Sequence, residues 1–301
     1  MDYCFPNKED CVICFFAVES ISGASVGGSR QVDEIKNVSR DQANFMGIII
    51  SIVNQKGGVG KTTTAINLAA SLAAAEKTCL LVDCDPQGNA TSGLGGNIGE
   101  GVEGLYDMML GSVPASRVIV STGLPGLDLV GATGDLIGAE VELVSVEKRE
   151  YRLRQKLYPL KERYDYIFLD CPPSLGFLTV NAMTASDSVI IPLQCEFYAL
   201  EGLTQLLKTI RAVRQGLNPS LDVEGILLTM YDSRNNLTVQ VEDEVRGHFK
   251  SAVFQTIIPR NVRLSEAPSH GKPVLLYDIT SKGAQSYLAL AKELVERGES
   301  R

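Results

Sequence analysis

Two lysines bracket three glycines in Lys56-Gly57-Gly58-Val59-Gly60-Lys61-Thr62-Thr63. Glycines at such positions let the backbone turn tightly and carry its N–H groups against phosphate oxygens with no Cβ in the way. Lys61 supplies a cation for the β- and γ-phosphates of a nucleotide, and the Thr62 hydroxyl supplies a ligand for Mg²⁺. The stretch from Lys56 to Thr63 is therefore a phosphate-binding P-loop, and it carries one lysine more than the ordinary form. Two acids complete the chemistry. Asp85, in Asp83-Cys84-Asp85-Pro86-Gln87, is placed to orient or polarise an attacking water. Asp170, in Asp170-Cys171-Pro172-Pro173, is placed to hold Mg²⁺ through a water ligand. An acid after a strand is often only a turn former or helix cap; two of them beside a P-loop favour the catalytic reading.

The elements that must position these groups follow from the apolar pattern. Ile48-Ile49-Ile50-Ser51-Ile52-Val53 is a β-branched run that feeds into the glycines, and residues 62–73 follow with Ala65, Leu68, Ala69 and Leu72 on one helical face. An anion in the loop thus lies at a helix N-terminus, where free N–H groups and the helix dipole favour negative charge. Further strands are expected at 78–82, 166–169, 188–191, 225–229 and 253–258, with a helix carrying Leu203, Leu206, Leu207, Ile210 and Val213 between the third and fourth of these. Continuous apolar strands alternating with helices imply an α/β fold, a mostly parallel twisted sheet with helices on both faces. In such sheets ligands bind at the carboxyl ends of the strands, so Asp85 and Asp170 should face the loop. The Gly-rich segment 88–104 reads as a mobile loop. Residues 1–45 lack sustained periodicity and are expected to be a disordered extension, in the simplest reading an artefact of start-codon choice, ahead of a single P-loop domain spanning 46–301.

Composition narrows the function. The 301 residues carry a net charge of −8, which argues against a general nucleic-acid binder. Residues 202–301 hold 13 Lys and Arg against 11 Asp and Glu, whereas 1–201 hold 15 against 25, so a DNA contact is expected as a local patch in the C-terminal third. No apolar run reaches the roughly 18 residues of a membrane span. The segment from Val12 to Val18 follows Glu9-Asp10 and not a basic stretch, unlike a signal peptide. The seven cysteines are irregularly spaced, and neither disulfides nor a metal site at Cys4, Cys11 and Cys14 is expected.

With these blocks joined by Gln194-Cys195-Glu196-Phe197 and Pro259-Arg260-Asn261-Val262-Arg263-Leu264-Ser265-Glu266-Ala267-Pro268, the chain from about Met46 onward resembles the ParA/Soj chromosome- or plasmid-partitioning ATPases of the deviant Walker A group, which also includes the MinD cell-division ATPase. The resemblance implies a cytoplasmic, nucleoid-associated ATP hydrolase with ATP and Mg²⁺ as cofactors. It implies a homodimer with nucleotide between the subunits, in which Lys56 reaches the partner's phosphates. It implies adenine contacts from Pro259 and Asn261, sequence-independent DNA binding through Arg234 and Arg263, and a stimulating partner of the ParB/Spo0J centromere-binding type. A MinD-like membrane role would need the last helix to be amphipathic and basic; its apolar positions Ala284, Tyr287, Leu288, Ala291, Leu294 and Val295 are weakly hydrophobic and its polar face mixes both signs, so core packing is expected and no membrane contact. An iron–sulfur role of the nitrogenase iron-protein kind would draw on Cys171 and Cys195, for which apolar packing is the expected use.

Overall fold

The computed structural model describes residues 46–96, 101–111 and 113–299; the expected extension over 1–45 and its cysteines lie outside them. Seven strands form one sheet in the order β3-β4-β2-β5-β1-β6-β7. They are β1 (Ile48–Ile52), β2 (Cys79–Asp83), β3 (Ile119–Ser121), β4 (Leu127–Val130), β5 (Tyr166–Asp170), β6 (Ser188–Gln194) and β7 (Asp222–Thr229). All neighbours pair parallel except β3, which runs antiparallel on the β4 edge. The α/β reading of the sequence holds. Strands β1, β2 and β5 are buried over nearly their whole length, which is why they read as unbroken apolar runs without alternation.

Helices cover both faces. In chain order they are α1 (Lys61–Ala74), α2 (Asn89–Gly93), α3 (Leu105–Leu110), α4 (Ala115–Val118), α5 (Leu136–Glu142), α6 (Arg152–Leu157), α7 (Phe177–Ala185), α8 (Ala199–Gly216), α9 (Asn236–Phe249), α10 (Val262–Glu266), α11 (Val274–Tyr277) and α12 (Lys282–Glu299). One apolar layer joins Ile50, Ile52, Leu81 and Phe168 of the sheet to α1 and α12. The opposite layer joins Ile49, Leu80, Ile167 and Val189 to α3, α6, α7 and α8. The apolar face of α12 is spent in the first of these: Ala284, Tyr287, Leu288, Ala291, Leu294 and Val295 are all buried, and the Tyr287 hydroxyl bonds that of Thr64 at 3.1 Å. No helix among the described residues is long and apolar enough to cross a membrane.

Two expectations fail here for identifiable reasons. Residues 253–258 run beside β7 but form no strand. They meet β7 and the residues just after it through Tyr231 N–H to the Ile258 carbonyl at 3.1 Å, Phe254 N–H to the Ile226 carbonyl at 2.9 Å and Ile258 N–H to the Leu228 carbonyl at 2.9 Å. The amides between them are taken by a side chain, since Glu293 of α12 accepts from Gln255 at 2.7 Å and Thr256 at 2.8 Å. The segment 88–104, read as a mobile loop, begins as the ordered helix α2, with Gly88 in the left-handed region at φ 64 and Thr91 tied to Asp83. Residues 97–100 of that segment lie outside the described ones.

Candidate nucleotide site

The glycine loop connects β1 to α1 on the carboxyl edge of the sheet. Gly60 caps the helix at φ 88, a backbone conformation that L side chains rarely adopt, and no side chain caps the first turn. The uncapped N–H groups of that turn are left for an anion. The loop is fastened on three sides. Asn54 donates through Nδ2 to the Pro192 carbonyl at 2.7 Å and accepts from Lys56 N–H at 2.9 Å. Gln55 Nε2 donates to the Gly202 carbonyl at 3.1 Å, and the Thr229 hydroxyl donates to the Val59 carbonyl at 2.8 Å.

The two lysines part company. Lys61 is buried, its Nζ donating to the Lys56 carbonyl at 3.0 Å across the loop. Burial pushes its ammonium below the ordinary lysine range, an effect opposed by the carboxylates of Asp170 and Asp85. The Lys56 side chain points away and is half exposed, paired with the Glu196 carboxylate just after β6.

Beneath Lys61 the parallel register sets Asp83 opposite Asp170. Burial lifts the Asp83 carboxyl to about 6 even though it accepts from Thr91 N–H at 2.8 Å, the Thr91 hydroxyl at 2.7 Å and Asp85 N–H at 3.1 Å. Asp170 is fully buried, and neither of its oxygens meets a hydrogen-bond donor at regular geometry. Burial and then the nearby Asp83 hold it well above the carboxylate range, with the Thr62 hydroxyl and Lys61 ammonium offsetting only part of this. A buried carboxylate without donors, next to a threonine hydroxyl and a phosphate loop, has the donor chemistry of a site for a hard divalent cation that keeps several waters. Among the described residues no group of three or more His, Cys, Asp or Glu gathers into a chelating cluster. Asp85 is also buried at this edge, its Oδ1 accepting from Gln87 N–H at 3.0 Å.

A cavity of about 350 Å³ opens beside the loop, lined among others by Gly60, Thr63, Thr229, Pro259, Arg260 and Asn261. The sequence-nominated Pro259 and Asn261 thus share a wall with the phosphate loop, although Asn261 also caps α10 by accepting from Arg263 N–H at 2.9 Å. Arg234 and Arg263 are not in that lining. Arg234 grips Asp232 with Nε at 2.9 Å and Nη2 at 2.8 Å; Arg263 pairs with Glu266 at 2.8 Å and Asp278 at 3.2 Å. Sequence reasoning assigned no role to Glu196, Thr229, Asn54 or Asp83. Asp83 left a signal as the first acid of its block and Glu196 as a member of the Gln194–Phe197 block; Asn54 and Thr229 become partners of the loop through folding. Cys171 and Cys195 are buried free thiols raised by burial, consistent with apolar packing.

A family model described as an AAA domain matches residues 47–223. A chromosome partitioning protein ParA of Myxococcus xanthus is 63% identical over 252 residues, 84% of this chain and 89% of the relative. The sporulation initiation inhibitor protein Soj of Bacillus subtilis is 57% identical over 253 residues, 84% of this chain and all of the relative. The chain belongs to the ParA/Soj family. As a member it is a P-loop ATPase, and solved relatives carry the cofactors that the cradle fits. Cobyrinic acid a,c-diamide synthase of Mycobacterium smegmatis, solved with bound ADP and magnesium, shares 38% identity at a TM-score of 0.75, covering 85% of this chain and 96% of its own. The ParA/Soj blocks quoted from the sequence accordingly fall at the carboxyl edge of the sheet, around the loop.

Proposed function

We propose that the protein is an ATP-gated DNA-partitioning switch. Lys61, the amides of Gly57, Gly58, Val59, Gly60, Thr62 and Thr63, and the Pro259/Asn261 wall hold ATP in one subunit. The Thr62 hydroxyl and, through water, Asp170 would hold Mg²⁺, which would supply neutralisation of phosphate charge when bound. Asp85 orients the water that attacks the γ-phosphate. Lys56 leaves Glu196 and reaches the phosphates of a second copy, where a cation set against developing charge speeds phosphoryl transfer. The ATP dimer binds DNA without sequence preference, Arg234 and Arg263 contributing from both subunits, and a ParB/Spo0J-type partner stimulates hydrolysis to release it. The process served is segregation of a chromosome or plasmid on the nucleoid.

The observation that carries this reading is the division of labour between the lysines. Lys61 is buried with its ammonium across the loop, and Lys56 is left at the surface on an exchangeable ion pair. The test is sedimentation of the protein with a slowly hydrolysed ATP analogue, followed by a gel shift of arbitrary duplex DNA. An analogue-dependent dimer that shifts DNA, weakened by Arg234→Ala or Arg263→Ala, is expected. A monomer throughout overturns the switch, and unaltered affinity in both variants removes the two arginines from it.

A further inference from the structure

The charge count over long stretches placed any DNA contact in the C-terminal third, yet a dense run of cations without carboxylate partners among the described residues also lies outside it. Residues 148–156 hold five Lys and Arg against one acid, in a chain of net charge −8. Arg149 is used locally, paired with Glu150 at 3.1 Å and set over the Phe177 ring. Among the described residues Lys148, Arg152, Arg154 and Lys156 pair with no carboxylate, whereas Arg234 and Arg263 are each tied to acids of their own neighbourhood. The Nε of Arg152 is moreover buried without an acceptor. Lys148, Tyr151, Arg154, Gln155 and Tyr158 line one open groove of about 560 Å³. Its floor is fixed: Tyr151 donates its hydroxyl to the Leu217 carbonyl at 3.1 Å, and Leu153 N–H donates to Asn181 Oδ1 at 3.3 Å. None of the residues lining the nucleotide cavity takes part.

We propose that this groove is a second contact for the phosphate backbone of duplex DNA, resting on the DNA-binding reading above and adding to it a surface apart from Arg234 and Arg263. None of the lining side chains is acidic, and Lys148, Arg154, Gln155 and Tyr158 can each donate a hydrogen bond into the groove. Arg, Lys, Tyr and Gln are the side chains that engage phosphate and sugar oxygens in positioning contacts. Cations without internal partners are also the ones whose neutralisation of phosphate releases counterions in full, because they give up no ion pair to do so. The open shape suits a polymer edge better than an enclosed small molecule. Two copies in an ATP dimer would present the groove twice.

The test is fluorescence anisotropy of a short duplex of arbitrary sequence over a salt series, with the slowly hydrolysed ATP analogue, comparing the full chain with Lys148→Gln/Arg154→Gln/Lys156→Gln. Basal ATP hydrolysis without DNA is the control for folding, and Lys148→Gln alone, at an exposed position, is the second variant should the triple one fail it. The expected result is a loss of about tenfold or more in affinity, with the slope of log K against log salt flattened by about 0.9 for each phosphate contact removed. Wild-type binding with an unchanged slope in the triple variant overturns this inference and leaves the DNA reading standing. No analogue-dependent DNA binding by the wild type overturns both. Unchanged duplex binding with lost binding to polyglutamate assigns the groove to an acidic polypeptide and also overturns it.

Discussion

Lys61 and Lys56 belong to one loop and to opposite environments. Around Lys61 the chain has assembled a buried cradle whose members are set before any ligand arrives: Gly60 turned to φ 88, Lys61 across the loop from the Lys56 carbonyl, Asp170 buried without a donor. Around Lys56 lies an exposed rim, with Lys56 and Glu196 each about half accessible and the neighbouring Phe197 and Tyr198 rings 75% and 72% exposed. A cradle stores electrostatic cost in one subunit, which a nucleotide and its cation relieve. A rim of exchangeable charge and uncovered aromatic surface stores nothing by itself and gains only when something covers it. Under the proposed function, nucleotide binding belongs to the first and its gating to the second.

The sharpest way to break it is Lys61→Ala. Loss of a buried charge partner should cut affinity for ATP by roughly a hundredfold or more, read by titration with a fluorescent ATP analogue. Lys56→Ala should keep affinity within a few-fold while hydrolysis at saturating ATP falls by roughly a thousandfold, the scale of a cation supplied in trans. Equal loss of binding in both variants would make Lys56 another member of the cradle and end the distinction. Asp170→Asn separates function from stability: hydrolysis should fall by roughly a hundredfold while the melting temperature of the nucleotide-free protein rises, because a buried carboxylate without donors is removed. Glu196→Gln probes the rim alone. Freeing Lys56 from its in-chain partner should lower by at most about fivefold the protein concentration at which the ATP-bound dimer forms in sedimentation, the scale of an exposed ion pair.

The smallest effect concerns pH. Burial raises the Asp83 carboxyl to about 6, so between about pH 4 and that value the folded protein holds a proton that the unfolded chain has lost. Stability of the nucleotide-free protein should therefore be fullest below about pH 4 as far as this group is concerned and fall as pH rises through about 6. Melting curves across that window, compared with Asp83→Asn, should show the slope flattened in the variant.

How far the site could be read in advance varied with the kind of residue. The loop, Asp85 and Asp170 were legible because each ends a run of buried strand residues, and a parallel sheet delivers such ends to one edge. The strands β3 and β4 were not, being three and four residues long with β3 partly exposed, too short for a periodic signal. The run 253–258 misled because its β-branched residues satisfy the strand pattern while the Gln255 and Thr256 amides go to Glu293, a side chain 38 and 37 residues further on. Asn261 was nominated for a ligand and is found lining the cavity, but its side chain also serves as a helix cap.

What the residue order alone determined is the chemistry: glycines that tolerate left-handed backbone, a lysine and a threonine at the head of a helix, acids at strand ends. These depend on local backbone preference and on the alternation of strands and helices, which are short-range properties. What only the tertiary structure decided is which charges are spent and which are free. Asp170 lacks donors, Lys56 is held by Glu196 some 140 residues away, Arg234 and Arg263 are neutralised, and Lys148 and Arg154 are not paired among the described residues. A charge acts through what surrounds it in space, and neighbours in space are set by packing of the sheet and its helices, not by distance along the chain.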